Sequence, residues 1–93
     1  MTMKIRAIVT VKGLVQGVAF RHHTVLQGNQ LRVTGWVKNL PNGDVQGCFE
    51  GDETDVQALV EWCHHGPSRA RVDRVIVERK SFRGEFDTFD VRY

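Results

Sequence analysis

Long apolar runs are missing from this sequence: no more than three apolar residues stand together anywhere. A membrane-spanning helix needs about 20 in succession, and a secretory leader needs an apolar stretch close behind the N-terminus. Neither is present, so the expected setting is the cytoplasm, with no membrane partner. Cysteine and proline are scarce, at two each. Cys48 and Cys63 form no Cys-x-x-Cys pair and are too few for a disulfide framework, which predicts two reduced, packed thiols. A charge surplus is missing too. Thirteen Lys and Arg against eleven Asp and Glu leave a net charge of +2, without the clustered basic face that a nucleic-acid binder shows. No nucleic-acid partner is expected. Ninety-three residues suffice for a single domain, 1–93, with a thin core that buries roughly 60–65% of the unfolded surface.

What is present is periodic. Ile5, Ala7, Val9 and Val11 alternate with Arg6, Ile8, Thr10 and Lys12, the two-residue period of a half-buried strand. A helix is predicted from Phe20 to Leu31, with Phe20, Thr24, Gly28 and Leu31 near one stripe and Val25 and Leu26 beside it. Gly28 inside it costs about 1 kcal/mol against alanine, which close approach of helix to sheet would explain. Val33 to Leu40 reads as a second strand, Pro41-Asn42-Gly43 as a tight turn, and Asp44 to Gly51 as a third strand with Val45, Gly47 and Phe49 on one face. Asp52 is placed to cap a second helix, which carries Val56, Leu59, Val60 and Cys63 at helical spacing and stops at Gly66-Pro67. Val72 to Lys80 gives a fourth strand. After a turn region at Ser81 to Glu85, Phe86 to Tyr93 holds a short final strand.

The order is β-α-β-β-α-β plus a C-terminal strand. It predicts an α+β, ferredoxin-like split-βαβ sandwich: two helices on one face of a mainly antiparallel sheet, the first two strands parallel with the third between them. Parallel strands end on the same side of a sheet. The loop after the first strand and the end of the second therefore open at one edge, and Arg21 and Asn39 can face one site.

That loop, Gly13-Leu14-Val15-Gln16-Gly17-Val18-Ala19-Phe20-Arg21, carries the chemistry. It contains no acid, its glycines loosen the backbone, and it delivers an arginine to a helix start. Backbone N–H groups, the helix dipole and a guanidinium converge on an anion in such a segment. The histidines come as adjacent pairs, His22-His23 and His64-His65. Neighbours on a helix point about 100° apart and chelate a metal poorly, so no metal site is expected. His22 and His23 lie beside the loop. His64 and His65 stand at a helix end, where they oppose the dipole.

Gly13-x-Val15-Gln16-Gly17-Val18-x-Phe20-Arg21, followed by Thr34-Gly35-Trp36-Val37-Lys38-Asn39-Leu40-Pro41-Asn42-Gly43, resembles the signature of the acylphosphatase family. Gly66-Pro67-Ser68-Arg69-Ala70-Arg71-Val72 and Phe89-Asp90-Val91 are similar to that family as well, so the resemblance covers nearly the whole chain. It implies hydrolysis of the carboxyl–phosphate anhydride of a small acyl phosphate, with no cofactor. It also implies that Arg21 and the backbone of Val15, Gln16, Gly17, Val18, Ala19 and Phe20 bind the phosphate, and that Asn39 orients the attacking water. Gln16 is read as contacting the loop backbone and shaping it. The sequence departs from the family's pattern at Arg32, where a glycine usually ends the first helix, at Gly28, where alanine is common, and at Ala19, where glycine is frequent. Arg32 would have to turn left-handed at some cost. Ala19 would narrow or stiffen the cradle. A non-catalytic binding module and an RNA-binding domain share this topology. The second needs paired aromatics on the central strands, and Phe49 falls on the inner face. With no flanking domain in 93 residues, a free, monomeric enzyme is expected.

Overall fold

The computed structural model describes residues 3–93. Alternation builds the first strand, β1 (Lys4–Leu14), with Ile5, Ala7, Val9 and Val11 all buried. Then follow α1 (Phe20–Gln30), β2 (Thr34–Asn39), β3 (Val45–Asp52), α2 (Glu53–Cys63), β4 (Arg71–Ser81) and β5 (Phe89–Arg92). The five strands lie in the order β4-β1-β3-β2-β5. β3 is antiparallel to both β1 and β2, so those two run parallel with β3 between them, as the element order predicts. The one parallel pairing is β5 on β2, in the register Gly35↔Phe89 to Lys38↔Arg92.

Both helices cover one face. α1 packs on β2 and β5, and α2 packs on β1 and β3. Between helices and sheet lies the core, formed by β1's alternating residues, Val37, Val45 and Phe49 of the central strands, Val33 just before β2, and Phe20, Val56, Leu59 and Cys63 of the helices. No helix among the described residues is long and apolar enough to cross a membrane.

Several details differ from the sequence reading. Helix α1 ends at Gln30, not Leu31, because the chain turns in a Schellman motif: Val33 N–H donates to the Gly28 carbonyl (2.8 Å) and Arg32 N–H to the Asn29 carbonyl (3.2 Å). Arg32 sits at the left-handed position of that motif with φ 59°. Gly28 is pressed against β5, where an added Cβ would meet Phe89 at 2.7 Å, so close helix–sheet approach does account for it. Asp52 occupies the N-cap of α2, but its side chain makes no cap hydrogen bond. The β3 backbone runs straight into the helix, and Glu53 N–H is taken by the Met3 carbonyl (2.8 Å). Phe86 to Thr88 is not strand: residues 82–88 cross the sheet's second face before β5 starts at Phe89.

That crossing buries what alternation alone turns outward. Glu50 has no solvent exposure and Arg6 almost none. Glu50 accepts hydrogen bonds from Arg6 Nε (3.1 Å), Arg83 N–H (2.7 Å) and Glu85 N–H (3.1 Å). Arg6 Nη2 lies 3.3 Å from the Glu85 carboxylate, and its guanidinium stacks 5.3 Å from the centre of the Phe86 ring. Burial by itself pushes the Glu50 carboxyl up, but these three donors outweigh it and hold the group below its ordinary value.

Candidate active site

The loop from β1 to α1 turns on two residues with positive φ. Gly17 (φ 76°) has open space where a side chain would stand, and Ala19 (φ 62°) takes the left-handed conformation as the residue preceding α1. A left-handed alanine is a strained start for a helix. It bears no side-chain cap and is followed by no acid in the first turn. The first hydrogen bond of α1 runs from His23 N–H to the Ala19 carbonyl (3.1 Å). The N–H groups of Phe20, Arg21 and His22 therefore have no acceptor in their own helix. Helix α2 differs, since Glu53 and Asp55 stand in its first turn and answer its dipole internally. Of the two helix starts, α1's is left open to an outside anion.

Gln16 ties this loop to the β2–β3 turn. Its Nε2 donates to the Leu40 carbonyl (2.8 Å) and to the Asp44 carbonyl (2.9 Å). The turn is itself fixed by Asp44 N–H to Asn42 Oδ1 (3.0 Å) and by the ion pair of Lys12 with Asp44 (2.6 Å). The Lys12 contact, first among several, holds the Asp44 carboxyl below its ordinary value. One amide side chain thus spans the cradle and the turn that follows Asn39. Val18 packs against the core's edge. Neither Gln16 nor Val18 lines the cleft described next: the Gln16 side chain contacts the backbone of the β2–β3 turn and does not reach into the cleft.

A cleft of about 380 Å³ opens here. Val15, Gly17, Ala19, Phe20 and Arg21 line it on the loop side, and Asn39 lines it at the end of β2. Arg21 and Asn39, eighteen residues apart, share it because β1 and β2 end at the same edge. The Arg21 guanidinium rests 5.2 Å from the centre of the Tyr93 ring and makes no ion pair with a carboxylate among the described residues. Asn39 Oδ1 is buried and has no hydrogen-bond partner. An orphaned buried acceptor costs about 1–3 kcal/mol, and a catalytic role is one reason such an atom is retained.

His22, which the sequence places beside the loop, lines the cleft, and the sequence reading missed the rest of the wall: Val25 of α1, and Phe89, Asp90, Val91 and Tyr93 at the C-terminal end of the chain. Val25 was legible as the residue one turn beyond Arg21. The β5 residues were not, because a four-residue strand gives little signal of where it pairs. No three His, Cys, Asp or Glu side chains cluster in metal-binding geometry among the described residues. His65 stands 3.7 Å from Glu61 on the surface. Both cysteines are free and buried, and burial pushes the Cys63 thiol up to about 12.

An open helix start and a guanidinium without a carboxylate partner are the donors an oxyanion site needs, and both border one cleft on a ferredoxin-like sheet. Comparison with known proteins narrows this further. A family model described as acylphosphatase matches residues 7–91. The chain is 79% identical over 91 residues to the acylphosphatase of Geobacter sulfurreducens, covering 98% of this chain and 100% of that one. In structure it is similar to an acylphosphatase from Coxiella burnetii (TM-score 0.91, 38% identity, 97% of this chain and 94% of that one). It is similar also to the acylphosphatase from Bacillus subtilis (TM-score 0.92, 29% identity, 96% and 99%). The chain belongs to the acylphosphatase family, and it is a hydrolase of that kind.

Proposed function

We propose that this domain hydrolyses the carboxyl–phosphate anhydride of small acyl phosphates through Arg21 and Asn39. The phosphoryl group sits in the cradle of residues 15–20 at the start of α1. Arg21 donates to two of its oxygens in a bidentate fork, and loop and helix N–H groups take the third. Phosphoryl transfer is largely loose, with charge spread over the equatorial oxygens, so positioned donors do most of the work. The leaving carboxylate needs no proton at neutral pH, so the site needs no strong acid. Asn39 Oδ1 accepts a hydrogen bond from the attacking water and aims it in line. The phosphorus–oxygen bond to the acyl group breaks as the bond to water forms, and the water's proton passes to a phosphate oxygen or to solvent.

The observation that carries this reading is that Arg21 and Asn39 line one cleft, with Asn39 Oδ1 left without a hydrogen-bond partner. Because guanidinium and amide N–H groups supply the positive charge, the reading requires no metal. A monomeric, cytoplasmic enzyme with no nucleic-acid partner is part of the same proposal. On the sheet's second face, the Trp36 ring carries the cations of Arg92 (4.9 Å) and Lys38 (5.1 Å).

The test is phosphate release from benzoyl phosphate by Arg21→Ala and Asn39→Ala, with folding checked by circular dichroism. Arg21→Ala should weaken inhibition by inorganic phosphate and lower the rate. Asn39→Ala should lower kcat by about a hundred- to a thousandfold while phosphate inhibition persists, and chelators should leave the wild-type rate intact. A folded Asn39→Ala protein with wild-type turnover would remove the water-positioning role.

A further inference from the structure

The cleft is larger than the phosphoryl group it is proposed to hold. At about 380 Å³ it has room for roughly a dozen waters at about 30 Å³ each, whereas a phosphate has five heavy atoms. The surplus lies in one direction. Helix α1 runs back along β2, and Val25 stands four residues past Arg21, about 6 Å further along the helix axis. On the strand side, the β2–β5 register sets Val91 beside Val37 and Phe89 beside Gly35. Those levels are two and four residues behind Asn39, or about 7 and 13 Å at strand rise. The groove between α1 and β5 therefore has a polar head at Arg21 and Asn39 and an apolar tail at Val25, Val91 and Phe89.

We infer that this tail holds the acyl group, and that Val25 is a specificity-determining residue that selects uncharged, apolar acyl groups of branched or aromatic size. The inference rests on the proposed phosphate and water positions. With water held at Asn39, in-line displacement sends the acyl oxygen to the far side of phosphorus, and the open length of the groove leads away from Asn39 towards Val25. Asp90 pairs with Trp36 in the β2–β5 register and so turns its carboxylate to the sheet's second face, away from the tail, where the Thr88 hydroxyl donates to it (2.5 Å). The apolar tail offers no partner to a charge on the acyl chain, so neutral chains are favoured. Val25 is only half-buried and belongs to the edge of the core. A larger side chain there extends into the groove and leaves the packing beneath the helix in place.

The experiment compares kcat/KM for benzoyl and acetyl phosphate, corrected for uncatalysed hydrolysis, in the wild type, Val25→Phe and Val25→Asn. The wild type should favour benzoyl phosphate by at least tenfold. Val25→Phe fills the tail and Val25→Asn makes it polar, and each should cut that ratio at least tenfold. This is the scale on which a hydrophobic pocket discriminates by a methylene or two. The two variants fail differently if folding suffers, since asparagine adds no bulk, and their thermal transitions are read alongside. A wild-type ratio near one, or a ratio that survives both substitutions, overturns the acyl subsite while leaving the catalytic reading intact. Hydrolysis of neither substrate by the wild type removes both.

Discussion

Gly28 of α1 lies against the Phe89 ring of β5: a Cβ on it would fall 2.7 Å from Cδ2 and 3.0 Å from Cε2. Phe49 backs the ring from the other side, with centroids 5.6 Å apart, so the ring has little room to retreat. Gly28→Ala gains about 1 kcal/mol in helix propensity, but forcing an extra methyl into a packed core costs about 1–3 kcal/mol. The expected outcome is net destabilisation by about 1 kcal/mol in urea unfolding. A more stable variant would show that the ring moves aside freely.

Arg32 gives the opposite expectation. At φ 59° it bears a left-handed strain of about 1–2 kcal/mol. Glycine relieves this but returns about 0.5–1 kcal/mol through the unfolded chain's entropy. Arg32→Gly should stabilise by about 0.5–1 kcal/mol and raise Tm by roughly 3–6 °C for a domain of this size. A Tm that falls would mean that the arginine side chain supplies a compensating contact.

Gln16→Met keeps the volume and removes the Nε2 donor that joins the loop to the Leu40 and Asp44 carbonyls. Stability should fall by about 1–2 kcal/mol. Because the same tether sets the cradle against Asn39, kcat should fall by about ten- to a hundredfold, as small misplacements of reacting groups do. If stability falls and steady-state turnover holds, the tether serves folding alone.

Glu50 makes the fold sensitive to acid. Its folded-state carboxyl lies below the unfolded value of about 4.3. The stability it contributes is therefore present in full above that value and drains away as pH falls through the lower, folded one. Asp44 and Glu85, also held low, act in the same window. Urea titrations from pH 7 to pH 3 should show a shallower acid loss in Glu50→Gln than in the wild type. Glu50→Ala should cost about 3 kcal/mol at pH 7, the lower end for breaking a buried pair, because Arg6 keeps its contact with Glu85. Parallel pH curves for wild type and Glu50→Gln would assign the acid loss to other groups.

The loop from β1 to α1 was legible because its information is local. Whether a segment lacks acids, bends at Gly17 and hands an arginine to a helix start is settled within nine residues. Glu50 was not legible. Alternation in β3 turns it outward, and only the crossing of residues 82–88, some thirty positions later, seals it. Asp52 misled too: a capping residue type stood at the right place, but its side chain makes no bond to the first turn of α2, while Glu53 N–H donates to the carbonyl of Met3, just before β1.

The sequence by itself determined the element order, the parallel relation of β1 and β2, and hence the meeting of Arg21 and Asn39 at one edge. Periodicity and chain connectivity leave few alternatives there. It left open where the last strand goes. Phe89–Arg92 is too short to declare its neighbour, and its docking parallel to β2 was decided by the whole fold, through the ring of Phe89 against Gly28 and the strap clamped on Glu50. The length and apolar tail of the groove depend on that docking, because a cleft wall is a relation between surfaces that approach only after the core has formed.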